Sequence, residues 1–133
     1  MLNERFVAGI YCRLSRDDEN LSESLSIANQ RQILTDYIKE KGWQFTGEYI
    51  DDGYTGTNFD RPDFKRMLND IERGCINCVV TKDLSRLGRN YAMTGFCTEQ
   101  YFPDHNVRYI AINDGVDTME EFNDMDGFHN VMN

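Results

Sequence analysis

Phe6-Val7-Ala8-Gly9-Ile10-Tyr11-Cys12 is a continuous apolar run of strand length. A strand without a polar side is covered on both faces, as in a parallel sheet sandwiched between helices. Residues 75–81, ending Cys78-Val79-Val80-Thr81, read as a second such strand, and residues 108–112 as a third. Residues 43–50 alternate and are β-prone. Between these runs the spacing turns helical. Ile27, Leu34 and Ile38 recur at helical intervals with Gln30, Ile33 and Tyr37, Ser22 or Ser24 is available as a cap, and Gly42 is the expected stop. Asp60-Arg61-Pro62 opens the next helix, where Phe64, Met67, Leu68 and Ile71 form one apolar face. Residues 82–90 read as a charged loop or short helix, and residues 91–102 as a helix ending near Pro103. After Asn113 the pattern dissolves into acidic and amide residues, with one late helix allowed from Gly127. Alternating strands and helices predict a single α/β domain over residues 1–133, with a mostly parallel central sheet of four to five strands flanked by helices.

The chain has 133 residues, with 14 Lys+Arg against 23 Asp+Glu, and a formal net charge of −9. Such a field repels polyanions, and by itself argues against a nucleic-acid partner. The excess is uneven: residues 104–133 hold seven acidic side chains and one basic one, Arg108. The longest apolar stretches are too short for a membrane span, so no membrane partner is expected. No basic-then-apolar leader opens the chain, so reduced thiols in the cytoplasm are the expectation. Cys75 and Cys78 have C-x-x-C spacing, but a zinc site needs two further ligands, and His105 and His129 stand in unpatterned surroundings. No metal is expected, and the thiols read as small apolar side chains.

In an open parallel sheet the ligand site lies beyond the carboxyl ends of the strands. The loops there carry Arg13-Leu14-Ser15-Arg16, then Arg61, then Lys82-Asp83-Leu84-Ser85-Arg86-Leu87-Gly88-Arg89. Five arginines and a lysine thus converge on one edge of an acidic protein. Guanidinium keeps its charge and binds phosphate oxygens in a bidentate fork. A serine among such cations points to phosphoryl transfer, because positive charge lowers the cost of its alkoxide and stabilises a five-coordinate phosphorus. No histidine is placed as a base for a Ser-His-Asp hydrolase, and neither a G-x-x-x-x-G-K-[ST] cradle nor a G-x-G-x-x-G fingerprint is present. Asp51-Asp52 reads as a solvated turn pair in a polar loop over residues 51–58 rather than as a magnesium site.

Tyr11-Cys12-Arg13-Leu14-Ser15 resembles the Y-x-R-x-S signature of the serine recombinases, the resolvase and invertase family. Ser26-Ile27-Ala28-Asn29-Gln30 resembles the segment with that family's helix glutamine. Asp52-Gly53-Tyr54-Thr55-Gly56 with Arg61, and Leu84-Ser85-Arg86-Leu87-Gly88-Arg89, resemble its second and third motifs. The long loop over residues 16–24 and the run over residues 82–90 look most like the transposon-borne large serine recombinases. The resemblance implies a resolvase-like catalytic domain of a site-specific DNA recombinase, of integrase or transposase type. Ser15 would attack the scissile phosphate to give a 5′-phosphoserine link and a free 3′-hydroxyl, without ATP, metal or other cofactor. Arg13, Arg61, Arg86 and Arg89 would hold the phosphate, with Gln30 and Asp52 supporting them.

Ser85 departs from the pattern, standing where many relatives carry an aspartate, which leaves the general acid open. Asp83, two residues upstream, is not expected to share its helix face. The implied partners are double-stranded DNA recombination sites and further copies of the chain, from dimer to tetramer. The resemblance also implies that residues 1–133 stop before or within a long dimerisation helix, short of any DNA-binding region. Two other readings stay open at this stage: a catalytically inert module that keeps the fold for interaction, and a nucleotide-binding α/β domain.

Overall fold

The computed structural model describes residues 6–15 and 26–119. Strand β1 (Val7–Leu14) leads to helix α1 (Ile27–Lys41), β2 (Gln44–Asp52), α2 (Pro62–Glu72) and β3 (Cys78–Thr81). A four-residue helix α3 (Leu84–Leu87) follows, then α4 (Tyr91–Phe96). The latter continues through a π turn (Cys97–Tyr101) into the last helical turn α5 (Phe102–Asp104). Strand β4 (Arg108–Ala111), a 3-10 turn (Ile112–Asp114) and β5 (Val116–Asp117) complete the sheet. Its order is β2-β1-β3-β4-β5, parallel throughout except for β5, which runs antiparallel to β4. The chain passes to opposite sides of β1 to form β2 and β3, so a topological switch point lies between β1 and β3.

The period of two along β1 sorts its side chains between two cores. Ala8, Ile10 and Cys12 pack with Leu34 and Ile38 of α1 and with Cys78, Val80 and Ile110. Tyr11 lies on the other side with Tyr49, Val79, Phe64, Met67, Ile71, Phe102 and Tyr109. Helix α1 begins at Ser26, whose hydroxyl accepts the Asn29 N–H at 3.0 Å. Ser22 and Ser24 lie outside the described residues. The helix ends at Gly42, whose φ of 75° gives a left-handed cap.

Four details differ from the sequence expectations. Strand β3 starts at Cys78, so Cys75 is an exposed turn residue rather than a buried one. Strand β2 runs on through Asp51 and Asp52, because its backbone stays paired with Arg13 and Leu14 of β1. The helix begun at Tyr91 ends at Asp104, near Pro103 as expected, but it carries a π turn over Cys97–Tyr101 on the way. The pattern does not dissolve at Asn113: the 3-10 turn docks on the loop after β3, with Asn113 N–H on the Lys82 carbonyl (2.8 Å) and Leu84 N–H on Asp114 Oδ2 (2.6 Å). A late helix from Gly127 falls outside the described residues. Among those described, no helix is long and apolar enough to cross a membrane.

The cysteines give a direct check of this packing. Burial pushes the Cys12 and Cys78 thiols up to about 12, and that of Cys97 up to about 11, while Cys75 is exposed. A neutral-pH thiol reagent should therefore modify one cysteine rapidly, and Cys75→Ser should abolish that fast phase. Above pH 9 the unfolded thiols lose protons that the folded ones keep, so the folded state binds more protons and stability falls as pH rises from about 9 to about 12. Urea titrations across that range should show the midpoint dropping; a flat midpoint would contradict the buried placement.

Candidate active site

The carboxyl ends of β1 and β3, followed by Ser15 and Lys82, flank the switch point. Arg13 shares the inward face of Tyr11 and is fully buried. Its guanidinium donates to three carbonyls: Nε to Arg86 (3.2 Å), Nη2 to Ser85 (2.6 Å) and Nη1 to Tyr54 (3.1 Å). One arginine thus ties the end of β1 to α3 and to the loop after β2. Gly56 permits this, because a Cβ there would lie 2.7 Å from Arg13 Nη2.

The backbone of Arg13, two residues before Ser15, is clamped as well. Strand β3 no longer pairs with β1 at this level, so the Arg13 N–H and C=O need other partners. The buried Gln30 amide supplies both, accepting the Arg13 N–H on Oε1 (3.1 Å) and donating Nε2 to the Arg13 carbonyl (3.0 Å). The same carbonyl accepts Arg86 Nη1 at 2.8 Å. Gln30→Leu keeps the volume, strands the buried Arg13 N–H and leaves the Arg13 carbonyl to Arg86 Nη1 alone, at about 2 kcal/mol. A chemical-denaturation midpoint unchanged by Gln30→Leu would refute the clamp.

Arg86 is buried beside Asp83, whose Oδ1 accepts its backbone N–H (3.2 Å) and its Nε (3.4 Å), while Arg86 Nη2 donates to Ser85 Oγ (3.1 Å). Ser85 Oγ in turn donates to Asp83 Oδ1 at 2.5 Å. Asp83 caps α3 from outside the helix, so the expectation that it points away from Ser85 is corrected: the cap geometry folds its carboxylate back over the first turn. Lys82 is buried with Nζ on Asn29 Oδ1 (3.1 Å), and Arg89 is exposed, its N–H on the Gly56 carbonyl (2.6 Å).

Arg61 occupies a different environment. It is fully buried, with its guanidinium 4.6 Å from the Phe59 ring centre and 5.0 Å from that of Phe64. Nε donates to the Asn58 carbonyl (3.0 Å), Nη2 to the Leu87 carbonyl (2.7 Å) and Nη1 to the Tyr11 hydroxyl (2.7 Å). Tyr11 donates to Asp51 Oδ2 at 2.7 Å, and burial holds its hydroxyl far above the usual tyrosine range, so it stays protonated. Asp51 also accepts the N–H groups of Asp63 (3.0 Å) and Phe64 (3.0 Å) at the start of α2.

The carboxylate bonded into this network is Asp51, whereas Asp52, the residue singled out in the sequence, is exposed at the strand end. Strand alternation held the signal, since Tyr49 and Asp51 share the inward face of β2 while Asp52 points out. Tyr11 and Asp83 likewise join the site without having been assigned to it. Arg13, Gln30, Ser85 and Arg86 are linked directly, Arg89 and Arg61 through backbone carbonyls, and Arg16 lies outside the described residues.

Fixed, buried guanidinium groups at the end of the strand that leads into Ser15 are of the kind that suits oxyanions of phosphorus. Residues 8–132 match the family model of the resolvase N-terminal domain, and the chain belongs to that family, as a serine recombinase catalytic domain. The N-terminal catalytic domain of TP901-1 integrase superposes with a TM-score of 0.76 at 27% identity, over 94% of this chain and 97% of that one. A resolvase family site-specific recombinase from Streptococcus pneumoniae gives 0.68 at 26% identity, over 96% and 94%. A Bacillus phage phi105 protein named "Uncharacterized immunity region protein 3" is 38% identical over 66 residues, half of this chain and 79% of that protein. A Bacillus subtilis (strain 168) protein named "Putative DNA recombinase" is 29% identical over 104 residues, 78% of this chain, which spans about a fifth of that relative's length.

Proposed function

We propose that this domain cuts and rejoins double-stranded DNA through a phosphoserine intermediate. Ser15 Oγ forms a bond to the scissile phosphorus, the bond to the 3′-oxygen breaks, and that oxygen takes up a proton while the Ser15 proton leaves. The product is a 5′-phosphate ester of Ser15 and a free 3′-hydroxyl. Attack by an exchanged 3′-hydroxyl reverses each step, so one phosphate diester replaces another and no ATP or metal is consumed. The family membership supports this reading. The observation that carries it is the double clamp on the Arg13 backbone by Gln30 and Arg86, which fixes the strand end that delivers Ser15.

Arg13 and Arg86 are assigned to the non-bridging oxygens, and Ser85 to the proton path at the leaving oxygen. Arg89 is assigned to phosphate capture from its exposed position. Arg61 is assigned to holding α3 through the Leu87 carbonyl rather than to phosphate contact, because its guanidinium is enclosed by aromatic rings. The DNA site and self-association beyond a single copy belong to the same proposal.

The test is to fuse the chain to a DNA-binding domain of known target and supply nicked duplexes randomised between two such targets. A nick near the scissile bond lets a short fragment diffuse away after cleavage and traps the covalent complex. Mass spectrometry should place the DNA phosphate on the peptide containing Ser15. An adduct on any other residue, or none, would overturn the assignment.

A further inference from the structure

We propose that Asp83 is a positioning residue, which aims the Arg86 guanidinium and the Ser85 hydroxyl at the phosphate; this rests on the reading of Arg86 as a phosphate ligand. A carboxylate next to a phosphate-binding arginine is electrostatically adverse, because it subtracts from the positive field the anion meets. Its placement makes sense as an aiming device. Asp83 Oδ1 gathers Ser85 Oγ (2.5 Å), the Arg86 N–H (3.2 Å) and Arg86 Nε (3.4 Å). The Nε bond fixes the edge of the guanidinium plane, and Nη1 on the Arg13 carbonyl fixes its rotation. Nη2 on Ser85 Oγ ties the hydroxyl into the same plane.

Asp83 is itself held from two directions. Its carbonyl accepts the Thr81 hydroxyl from the end of β3 (2.9 Å) and the Arg86 N–H (3.1 Å). The neighbouring Leu84 N–H is tied to Asp114 in the turn after β4. The carboxylate therefore stands on a rigid base, which is what directing a flexible arginine requires.

Charge and aim predict opposite signs. A carboxylate that acted only as a charge would weaken phosphate binding, so both Asp83→Ala and Asp83→Asn would bind phosphate more tightly. A carboxylate that aims Arg86 is needed for its acceptor oxygen, which Asn retains and Ala lacks. The measurement is the Arg86 Nε–Hε signal in nitrogen-15 NMR of the 133-residue chain, titrated with inorganic phosphate against chloride at constant ionic strength. In the parent chain that signal should be protected from exchange and shift saturably.

Asp83→Ala should lose the protection and weaken phosphate binding about five-fold or more, by loss of charge-assisted bonds that orient the ligand. Asp83→Asn should keep the protection and bind equally or more tightly. The Arg61 Nε signal should stay unchanged in both, separating local aim from general loosening. Should Asp83→Ala not fold, Ser85→Ala, which removes only the hydroxyl between Asp83 and Arg86 Nη2, should weaken binding about two-fold. Unchanged or tighter binding in Asp83→Ala, or in its absence Ser85→Ala, overturns the proposal. A parent Arg86 signal indifferent to phosphate overturns the phosphate-ligand reading beneath it as well, so the two failures are distinct.

Discussion

Ser15→Ala should remove the covalent DNA adduct completely, with the folded domain and its DNA capture intact. Ser15 is 5% exposed and follows directly on a strand end that Gln30 and Arg86 hold by the Arg13 backbone, so the main chain that carries it is fixed by bonds that Ser15→Ala leaves in place. Its hydroxyl forms the bond to phosphorus in the proposed reaction, and no cation in the cluster can replace a nucleophile. The expected loss is at least about 10⁴-fold in adduct formation, the scale on which removing a nucleophile acts. In gel-shift assays of the fused chain the affinity should change by less than about two-fold. An adduct persisting in Ser15→Ala would end the phosphoserine reading.

Arg61→Met should be the most destabilising of the arginine substitutions. The methionine fills much of the aromatic enclosure but leaves the carbonyls of Asn58 and Leu87 and the Tyr11 hydroxyl without their donor. It also leaves Asp51 buried without the cation that balances it through Tyr11. Each buried acceptor left without its donor costs about 1–3 kcal/mol, and three lose it here, against a few tenths for an exposed arginine. Urea unfolding of Arg61→Met and Arg89→Ala should separate the two by that margin, with Arg89→Ala close to the parent. Equal midpoints would mean that Arg61 is not a structural centre.

The fold was legible because its signals are local. The unbroken apolar run of β1, the single apolar face of α2 and the stop at Gly42 each come from a few neighbouring side chains. The arginines and Ser15 were legible as a group because strand ends in a parallel sheet face one edge. What escaped was the division of labour within the group. Arg13, Arg61, Arg86 and Arg89 read alike in sequence, yet one is enclosed by aromatic rings, two are buried and one is exposed. That difference depends on contacts 26 to 73 residues apart in the chain, such as Arg61 with Leu87 and Arg13 with Arg86. Asp51 escaped because the polar run over residues 51–58 reads as a loop, whereas β2 continues through Asp52 and turns Asp51 inward. Asp83 escaped because helix spacing was applied to a residue that caps the helix from outside it.

Burial of Arg13 and Arg86 also divides what dissolved salt can reach. Counter-ions screen charges in water over about 8 Å at physiological ionic strength, but they do not enter the packed interior. On a chain of net charge −9, long-range attraction to DNA then depends on exposed cations such as Arg89, and fades as salt rises. Arg13 and Arg86, assigned to the phosphate in the proposed reaction, are cations the salt does not touch. Encounter and chemistry thus answer to different solvents: raising the ionic strength should slow DNA capture steeply, while cleavage of DNA already bound proceeds at nearly constant rate.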